Sequence, residues 1–236
     1  MSVLLLRLAA PLQSWGVASR YARRDTQQYP SKSGVLGLIA AARGQRRTAQ
    51  IEEALTGLAF GVRIDQQGTL VRDFQVALSL DKKKSFPLSE RYYLADAVFV
   101  AAVAGERNML EGIATALSRP EFPLYLGRRS CPVTESLVLG QIVETDLATA
   151  LADTAWQASS WYRRRQPGRV YLPIYRDQIP GDQPEPFAEQ VQDVPIDFNP
   201  VRREYGWRTV IADRTTVENP DGRLDTHDPF AALGGA

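Results

Sequence analysis

Apolar residues recur with different spacings along the chain, and these spacings predict its first elements. Residues 3–8 form a short apolar run that is typical of a buried strand. Ser33 can cap a helix over residues 34–43, and Gly44 stands where a terminating glycine belongs. A shorter helix is predicted over residues 49–55. The chain is therefore predicted to begin with a strand, a loop rich in bases and a helix.

The middle of the chain has the pattern of a long hairpin. Strands are predicted over residues 58–64 and 69–80, separated by a turn at residues 65–68. Three consecutive lysines at residues 82–84 mark the tip. The return strand is predicted over residues 92–103, because apolar side chains become frequent again there.

The second half of the chain has fewer clear elements. Apolar residues at helical spacing predict a helix over residues 107–117. Beyond Trp156 the sequence is rich in Pro, Gln and Asp, and residues 166–200 read as a linker or a long surface excursion. The other predicted elements are strands at residues 137–143, 170–175 and 207–211 and a helix at residues 146–152.

The order of these elements predicts the fold class. It is β-α-β-β, then a hairpin extension, then α and β, which is the split βαβ order of an α+β, ferredoxin-like (RRM-like) fold with an antiparallel sheet. We expect this unit over residues 1–155, with the hairpin at about 74–94. Residues 156–217 are expected to add an irregular part containing strands to the same domain, and residues 218–236 to form a tail.

Composition narrows the class of protein. The 236 residues are 44% hydrophobic and 23% charged, which excludes a disordered, a collagen-like or a strongly basic tail protein. Cys131 and His227 are the only cysteine and histidine, so an intrachain disulfide is excluded and zinc has too few ligands. No metal site and no cofactor are predicted.

Localisation follows from the same features. A single cysteine favours a reducing compartment. No apolar run approaches the roughly 20 residues that a membrane-spanning helix needs. The N-terminal run is short, is interrupted by Arg7 and lacks the preceding basic region of a signal peptide. We therefore expect a soluble, cytoplasmic protein without a membrane partner.

Charge is distributed unevenly, although the formal net charge is only +1. Seven bases lie between residues 20 and 47, with Asp25 as the only acid, whereas residues 177–197 contain six acids and no base. Further arginines cluster at residues 163–165 and 202–203. A solvated loop explains any one cluster, but several clusters in the loops of one fold favour contact with nucleic acid.

Two loops carry candidate RNA-binding side chains. Gln13 and Ser14 can hydrogen-bond bases or phosphates and Trp15 can stack on a base, although a tryptophan that anchors a loop in the core is the common alternative. Lys32 and Ser33 enter a helix, where N–H groups and the helix dipole favour an anion. The alternative there is an ordinary capped helix.

A third loop follows residue 126 with the sequence GRRS. Gly127 permits a tight turn that could direct Arg128 and Arg129 at phosphates. The alternative is a pair of surface ion pairs with the acidic residues of the C-terminal half.

Four segments stand out when they are taken together. They are LRLAAPLQSWG at residues 6–16, PSKSGVLG at 30–37, RYYLADA at 91–97 and YLGRRSCP at 125–132. In this order they resemble the signatures of the CasD family, the Cascade subunits of type I-E CRISPR systems within the RAMP superfamily. The C-terminal part matches that family more loosely.

The resemblance implies a non-catalytic subunit of a CRISPR antiviral ribonucleoprotein complex. Its palm holds the 5′ handle of the guide RNA (crRNA), and its protruding hairpin thumb packs against the neighbouring backbone subunit. The large PAM-reading subunit lies beside it, with target DNA nearby. The implied RNA-binding residues are Gln13, Ser14, Trp15, Lys32, Ser33, Arg72, Arg91, Arg128, Arg129 and Ser130.

Two other functions are kept as alternatives. One is a metal-independent endoribonuclease that processes precursor crRNA, as in the type I-C branch. RNA cleavage through the 2′-OH needs a positioned base and acid, and here the only histidine, His227, falls in the predicted tail. The other is an interaction module that touches only protein, for which charge reversal at Lys32, Arg128 and Arg129 would leave RNA affinity unchanged.

Overall fold

The computed structural model describes residues 1–16, 23–179, 182, 188–199 and 201–223. The strands in chain order are β1 (Ser2–Ala9), β2 (Leu12–Gln13), β3 (Arg23–Arg24), β4 (Ala59–Gln66), β5 (Thr69–Gln75), β6 (Ser89–Ala95), β7 (Val98–Gly105), β8 (Val143–Glu144), β9 (Arg169–Asp177), β10 (Glu189–Asp197) and β11 (Glu204–Glu218). The helices are α1 (Lys32–Ala42), α2 (Glu53–Thr56), α3 (Arg107–Ser118), α4 (Leu147–Asp153) and α5 (Ser160–Arg163).

Seven strands form one sheet in the order β10-β11-β9-β4-β7-β1-β8, with antiparallel neighbours throughout. β1 pairs with β7 over its whole length, from Ser2 opposite Gly105 to Ala9 opposite Val98. The predicted α+β class with an antiparallel sheet is therefore confirmed.

Both faces of this sheet are covered by helices. Leu4, Leu6 and Leu8 belong to the core on the side of α1 and α3, whereas Val3 and Leu5 pack with α4. Successive side chains of a strand point to opposite faces. A strand that is buried on both faces is therefore apolar on both, and this explains the apolar run at residues 3–8, in which Arg7 alone is polar and only partly buried.

A sharp turn at Asp96 divides the chain between β6 and β7. Asp96 has a positive φ of 56°, and its N–H donates to the carbonyl oxygen of Pro11 at 3.1 Å. The turn sends β6 into a second sheet with β2, β3 and β5. The single return strand predicted over residues 92–103 is wrong, because a left-handed residue interrupts an extended strand.

β5 and β6 form an antiparallel hairpin that leaves the large sheet. Seven residue pairs join the two strands, from Thr69 opposite Ala95 to Gln75 opposite Ser89. Nearer the tip, Leu78 bridges Ser85. The hairpin lies where the sequence predicts one, although β5 ends at Gln75 and not at residue 80.

The helices follow the predictions with one shift at the start of α1. Ser31 caps this helix and not Ser33, because the Ser31 Oγ accepts the N–H of Gly34 at 3.2 Å. The helices predicted at residues 107–117 and 146–152 are confirmed as α3 and α4. The first residues of the predicted 49–55 helix stay outside α2.

The C-terminal half is far more regular than predicted. Residues 166–200 contain β9 and β10, and β9 joins the sheet by pairing with Gly61 to Arg63 of β4. A tail was predicted from residue 218, but the packed structure extends beyond it. Asn219 is buried, and its side chain donates to the carbonyl oxygens of Arg163 and Pro167. Residues 224–236, including His227, lie outside the described residues.

The strand predicted over residues 137–143 is mostly replaced by irregular chain that follows β1. The backbone N–H of Arg7 donates to the carbonyl oxygen of Leu137, and the N–H of Leu139 donates to the carbonyl oxygen of Leu5. Gly140 takes a positive φ of 70° and breaks the ladder, so that only β8 pairs as a strand.

Candidate nucleic-acid interface

Polar side chains hold the loop after β1 inside the protein. Gln13 is fully buried, and its Nε2 donates to the carbonyl oxygens of Leu8 and Ala97 at 3.1 and 2.8 Å. Its Oε1 accepts the indole N–H of Trp15 at 3.1 Å. Both amide hydrogens and the amide oxygen of Gln13 are thus used within the chain.

Two glycines let other segments pack closely on this loop. A Cβ on Gly34 would lie 2.8 Å from the Trp15 ring, and a Cβ on Gly127 only 1.7 Å from the Ser14 carbonyl oxygen. The Ser14 hydroxyl donates to the carbonyl oxygen of Tyr92 at 3.2 Å. The four motif segments found in the sequence therefore meet here, and much of their pattern serves packing.

These contacts change the role of the first three predicted site residues. Gln13, Ser14 and Trp15 are at most 2% exposed. An RNA contact through them would have to break interior hydrogen bonds, and a buried polar group left unpaired costs about 1–3 kcal/mol. In this structure the three side chains shape the loop from within, and their contact with RNA stays a prediction.

Lys32 and Ser33 are interior as well. The Lys32 ammonium lies 2.8 Å from Oδ2 of Asp177, and the Lys32 N–H donates to Oδ2 of Asp193 at 2.8 Å. The Ser33 hydroxyl is buried, 3.4 Å from the Ser31 hydroxyl. Carboxylates of the chain itself occupy the start of this helix, so a phosphate at the predicted site would have to displace them.

Arg208 completes this group of charges. Its Nη1 donates to Oδ1 of Asp177 at 2.7 Å, and its Nε and Nη2 donate to the two carboxylate oxygens of Asp193 at 2.5 and 3.0 Å. Burial opposes the charged form, but hydrogen bonds and charges from Asp193 and Asp177 raise the pKa of Arg208. The group, here called the α1 clamp, consists of Lys32, Asp177, Asp193 and Arg208.

A different set of arginines lies at the surface beside β6. The Arg128 guanidinium donates to the carbonyl oxygens of Tyr92 and Arg24 at 3.0 and 2.7 Å, and lies 4.8 Å from the Tyr93 ring centroid. Arg23 lies over the ring of Tyr92 at 5.2 Å. We call the region beside Tyr93 the arginine surface, and its members are Arg24, Arg91, Arg128 and Arg129.

The GRRS loop supplies the exposed part of this surface. Arg129 and Ser130 are exposed, and the Ser130 Oγ lies 3.2 Å from the Tyr93 hydroxyl. Arg128 is only half-buried, but its carbonyl contacts give it a structural role as well. Arg129 is therefore a better candidate than Arg128 for a phosphate contact, because it is exposed.

The two predicted hairpin arginines lie on opposite faces of the hairpin. Arg72 is opposite Tyr92 in the register, whereas Arg91 is opposite Asp73. Neighbouring residues of a strand point to opposite sides. Arg91 thus shares a face with Tyr93 and the GRRS loop, whereas Arg72 lies over Phe74 at 4.8 Å on the other face.

Three arginines that are far apart in the sequence also influence one another. Partial burial, and then the positive charges of Arg203 and Arg129, lower the pKa of Arg47. The sequence clusters predicted basic loops, but no local pattern indicates that residues 47, 129 and 203 lie close together. These three residues are brought together only by the tertiary fold.

The hairpin exposes a large apolar surface. Its strands and tip carry seven apolar side chains that are between 46% and 106% exposed, namely Leu70, Phe74, Val76, Leu78, Leu80, Phe86 and Leu88. Monomeric soluble proteins rarely expose contiguous apolar surface on this scale, and such patches mark binding sites for other macromolecules.

The described residues hold no group of three or more His, Cys, Asp or Glu side chains that could bind a metal ion. In the same part of the chain, no helix is long and apolar enough to cross a membrane.

Comparison with known proteins gives consistent matches over nearly the whole chain. Residues 3–211 match the model of a family described as CRISPR-associated protein (Cas_Cas5). A curated relative, the CRISPR system Cascade subunit CasD of Escherichia coli (strain K12), is 33% identical over 169 residues, which cover 64% of this chain and 75% of the relative.

Two solved structures resemble the fold along its full length. One, described as the crystal structure of a Cas protein, has a TM-score of 0.65 at 32% identity and covers 95% of this chain and 100% of its own. The other, a chain of a CRISPR RNA-guided surveillance complex, has a TM-score of 0.70 at 29% identity and covers 98% and 97%. The resemblance to the CasD family stated from the sequence is confirmed, and the chain belongs to the Cas_Cas5 family of CRISPR-associated proteins.

Proposed function

We propose that this protein is a non-catalytic, guide-RNA-binding subunit of a type I-E Cascade complex, where it holds the 5′ handle of the crRNA. The observation that carries the proposal is the arginine surface. The Arg128 guanidinium there covers the buried ring of Tyr93, and Arg129 is exposed next to it. Arginines bind phosphates through paired N–H donors, so this surface suits the backbone of an RNA.

Charge distribution supports RNA binding despite the low net charge. Two acids of the stretch at residues 177–197, Asp177 and Asp193, are ion-paired within the α1 clamp. They cannot also neutralise the arginine surface. The α1 clamp pairs two acids with two bases and is itself neutral, so the exposed arginines, and not the formal net charge of +1, would attract a phosphate backbone.

The proposal includes a ferredoxin-like palm. Four strands of the large sheet, in the order β8-β1-β7-β4, together with α1 after β1 and α3 after β7, follow the split βαβ arrangement. The arginine surface lies next to this unit. β9, β10 and β11 extend the palm beyond β4.

The hairpin of β5 and β6 is proposed as the thumb. Its exposed apolar side chains would pack against the neighbouring backbone subunit, and Arg72 and Arg91 would contact RNA from its two faces. The large PAM-reading subunit is proposed to lie beside the palm, with target DNA nearby and the assembled complex in the cytoplasm.

The Arg129→Glu variant tests RNA binding. We expect its affinity for a labelled single-stranded RNA with the 5′-handle sequence to fall about tenfold, with the slope of log K against log salt reduced by about one, because a phosphate contact is lost. Fluorescence anisotropy at two or more salt concentrations measures both quantities. Arg129 is exposed, so that the fold should not change.

Arg214→Glu is the matched control. Arg214 is exposed on β11 beside Tyr171, at a distance from the arginine surface along the sheet, and the same charge reversal there should leave affinity unchanged. Equal affinity of the Arg129→Glu variant and the unmodified chain would contradict the proposal. The appearance of shortened RNA products in the same reactions without added metal would favour the endoribonuclease alternative.

A further inference from the structure

A cavity of about 840 Å³ lies at one edge of the large sheet. Its walls are the chain before α1, the edge strand β10 and the first residues of β11. Ligand sites in proteins commonly have volumes of about 300–1,000 Å³, so a nucleotide fits this space. None of the RNA-binding residues implied by the family resemblance, nor any member of the arginine surface, lines the cavity.

Aromatic side chains form much of this cavity. Trp207 and Tyr205 line it, and Trp207 is 64% exposed although it belongs to a β-strand. Tyr29, on the opposite wall, stacks on Tyr175 with ring centroids 4.3 Å apart and is thereby fixed in position. An exposed indole next to a rigid phenol offers a surface on which a flat ring can stack.

Polar groups of the cavity suit the edge of a nucleobase. Gln27 and Glu189 line it, and amide and carboxylate groups pair with the amino and imino groups of bases. Burial and the nearby charge of Glu189 raise the pKa of Tyr29 to about 12. Its hydroxyl therefore stays protonated at neutral pH and can donate a hydrogen bond.

Arginines lie at the rim of the same cavity. Arg202 and Arg203 both line it, and Arg202 is paired with Glu204 at 2.9 Å. Arg203 lies close enough to Arg47 for its positive charge to lower the pKa of Arg47, after the larger effect of burial. An anion at the rim would relieve this repulsion, and the phosphate beside a bound base is such an anion.

We propose that this cavity holds a single unstacked RNA base, with Trp207 and Tyr205 as stacking partners and Arg203 on the adjoining phosphate. The inference rests on the proposed function, because it assigns a second contact point to the same RNA. Arg47 is near both points, since Arg129 of the arginine surface and Arg203 at the rim of the cavity both act on its charge. The RNA would thus run from the GRRS loop to the cavity.

The Trp207→Ala variant of the full chain tests the pocket with the same labelled handle RNA. Loss of base stacking should reduce affinity about tenfold while leaving the salt slope unchanged, because no charge is removed. Arg203→Ala should reduce both affinity and slope. Trp207→Phe should retain most of the affinity, since a phenyl ring still stacks.

Trp161→Ala is the matched control. Trp161 is also an exposed tryptophan beside an arginine, Arg165, but α5 lies at the far end of β11, where Asn219 binds the Arg163 carbonyl oxygen. Its replacement should leave RNA affinity unchanged. Thermal unfolding of each variant shows that a loss of affinity is not a loss of fold.

The outcomes separate the two proposals. If Arg129→Glu weakens RNA binding but Trp207→Ala does not, the inference that the cavity binds an RNA base is overturned and the proposed function stands. If Trp207→Ala leaves RNA affinity intact but weakens copurification with another Cascade subunit, the cavity binds protein and the inference is overturned. If the unmodified chain binds no handle RNA, both the proposed function and the inference that the cavity binds an RNA base are overturned.

Discussion

Replacing Asp193 by alanine should reduce the free energy of unfolding by about 3–5 kcal/mol, because one partner is removed from a buried ion network. The Asp193 side chain is 1% exposed and accepts from both the Arg208 guanidinium and the Lys32 N–H. Its loss leaves a buried guanidinium with one carboxylate fewer and exposes the start of α1. Urea denaturation followed by circular dichroism measures the change.

Two further variants show whether the charge itself is responsible. Glu189→Ala, an exposed acid on the same strand, should change stability by less than about 0.5 kcal/mol. The double variant Asp193→Leu with Arg208→Met removes one cation and one anion and leaves Lys32 paired with Asp177, so that it should recover much of the loss. A loss below about 1 kcal/mol for Asp193→Ala would show that the α1 clamp is not a main support of the fold.

The second large effect is expected at the tip of the hairpin. Replacing Leu78 and Leu80 by aspartate should weaken assembly with the backbone subunit about a thousandfold, because central apolar side chains of an interface contribute about 2 kcal/mol or more each. Both leucines are more than half exposed, so the isolated chain loses little packing. Copurification from cells that express both subunits and the guide RNA measures assembly.

Lys83→Ala is the control for this pair. Lys83 lies at the same tip and is exposed, but its replacement removes a charge and leaves the apolar surface intact. Assembly should be maintained in this variant. If the two aspartates left copurification at the level of the unmodified chain, the hairpin would not be the thumb that contacts the backbone subunit, and its exposed leucines would need another partner.

Elements that bury apolar side chains at regular spacing were predictable from the sequence. β1, α3 and α4 lie where the apolar pattern places them. The division of residues 92–103 between two sheets was not predictable, since it depends on one left-handed residue, Asp96, whose neighbours are as apolar as a continuous strand. β10 was missed because its sequence is polar, as expected of an edge strand with one solvated face.

The candidate site also has features that were predictable from the sequence and features that were not. The basic loops were predictable by counting charges, and Arg129 and Ser130 are exposed as an RNA-binding role requires. The ion pair of Lys32 was not predictable, because its partner, Asp177, is 145 residues away and the acidic stretch showed no sign of entering the core. The arginine cluster at residues 202–203 and the strand at residues 207–211 were predicted, but the cavity that Trp207 and Arg203 line was not, because β10 and the chain before α1 complete it.

The α1 clamp also constrains how the protein folds during synthesis. Until Asp177, Asp193 and Arg208 leave the ribosome, the ammonium of Lys32 has no counterion and β4 is the open edge of an unfinished sheet. Ribosomes add about 5–20 residues per second, so the N-terminal half waits roughly 5–18 s for Arg208. Nascent chains of this protein therefore need shielding from aggregation, and fragments that stop before residue 208 should accumulate in inclusion bodies.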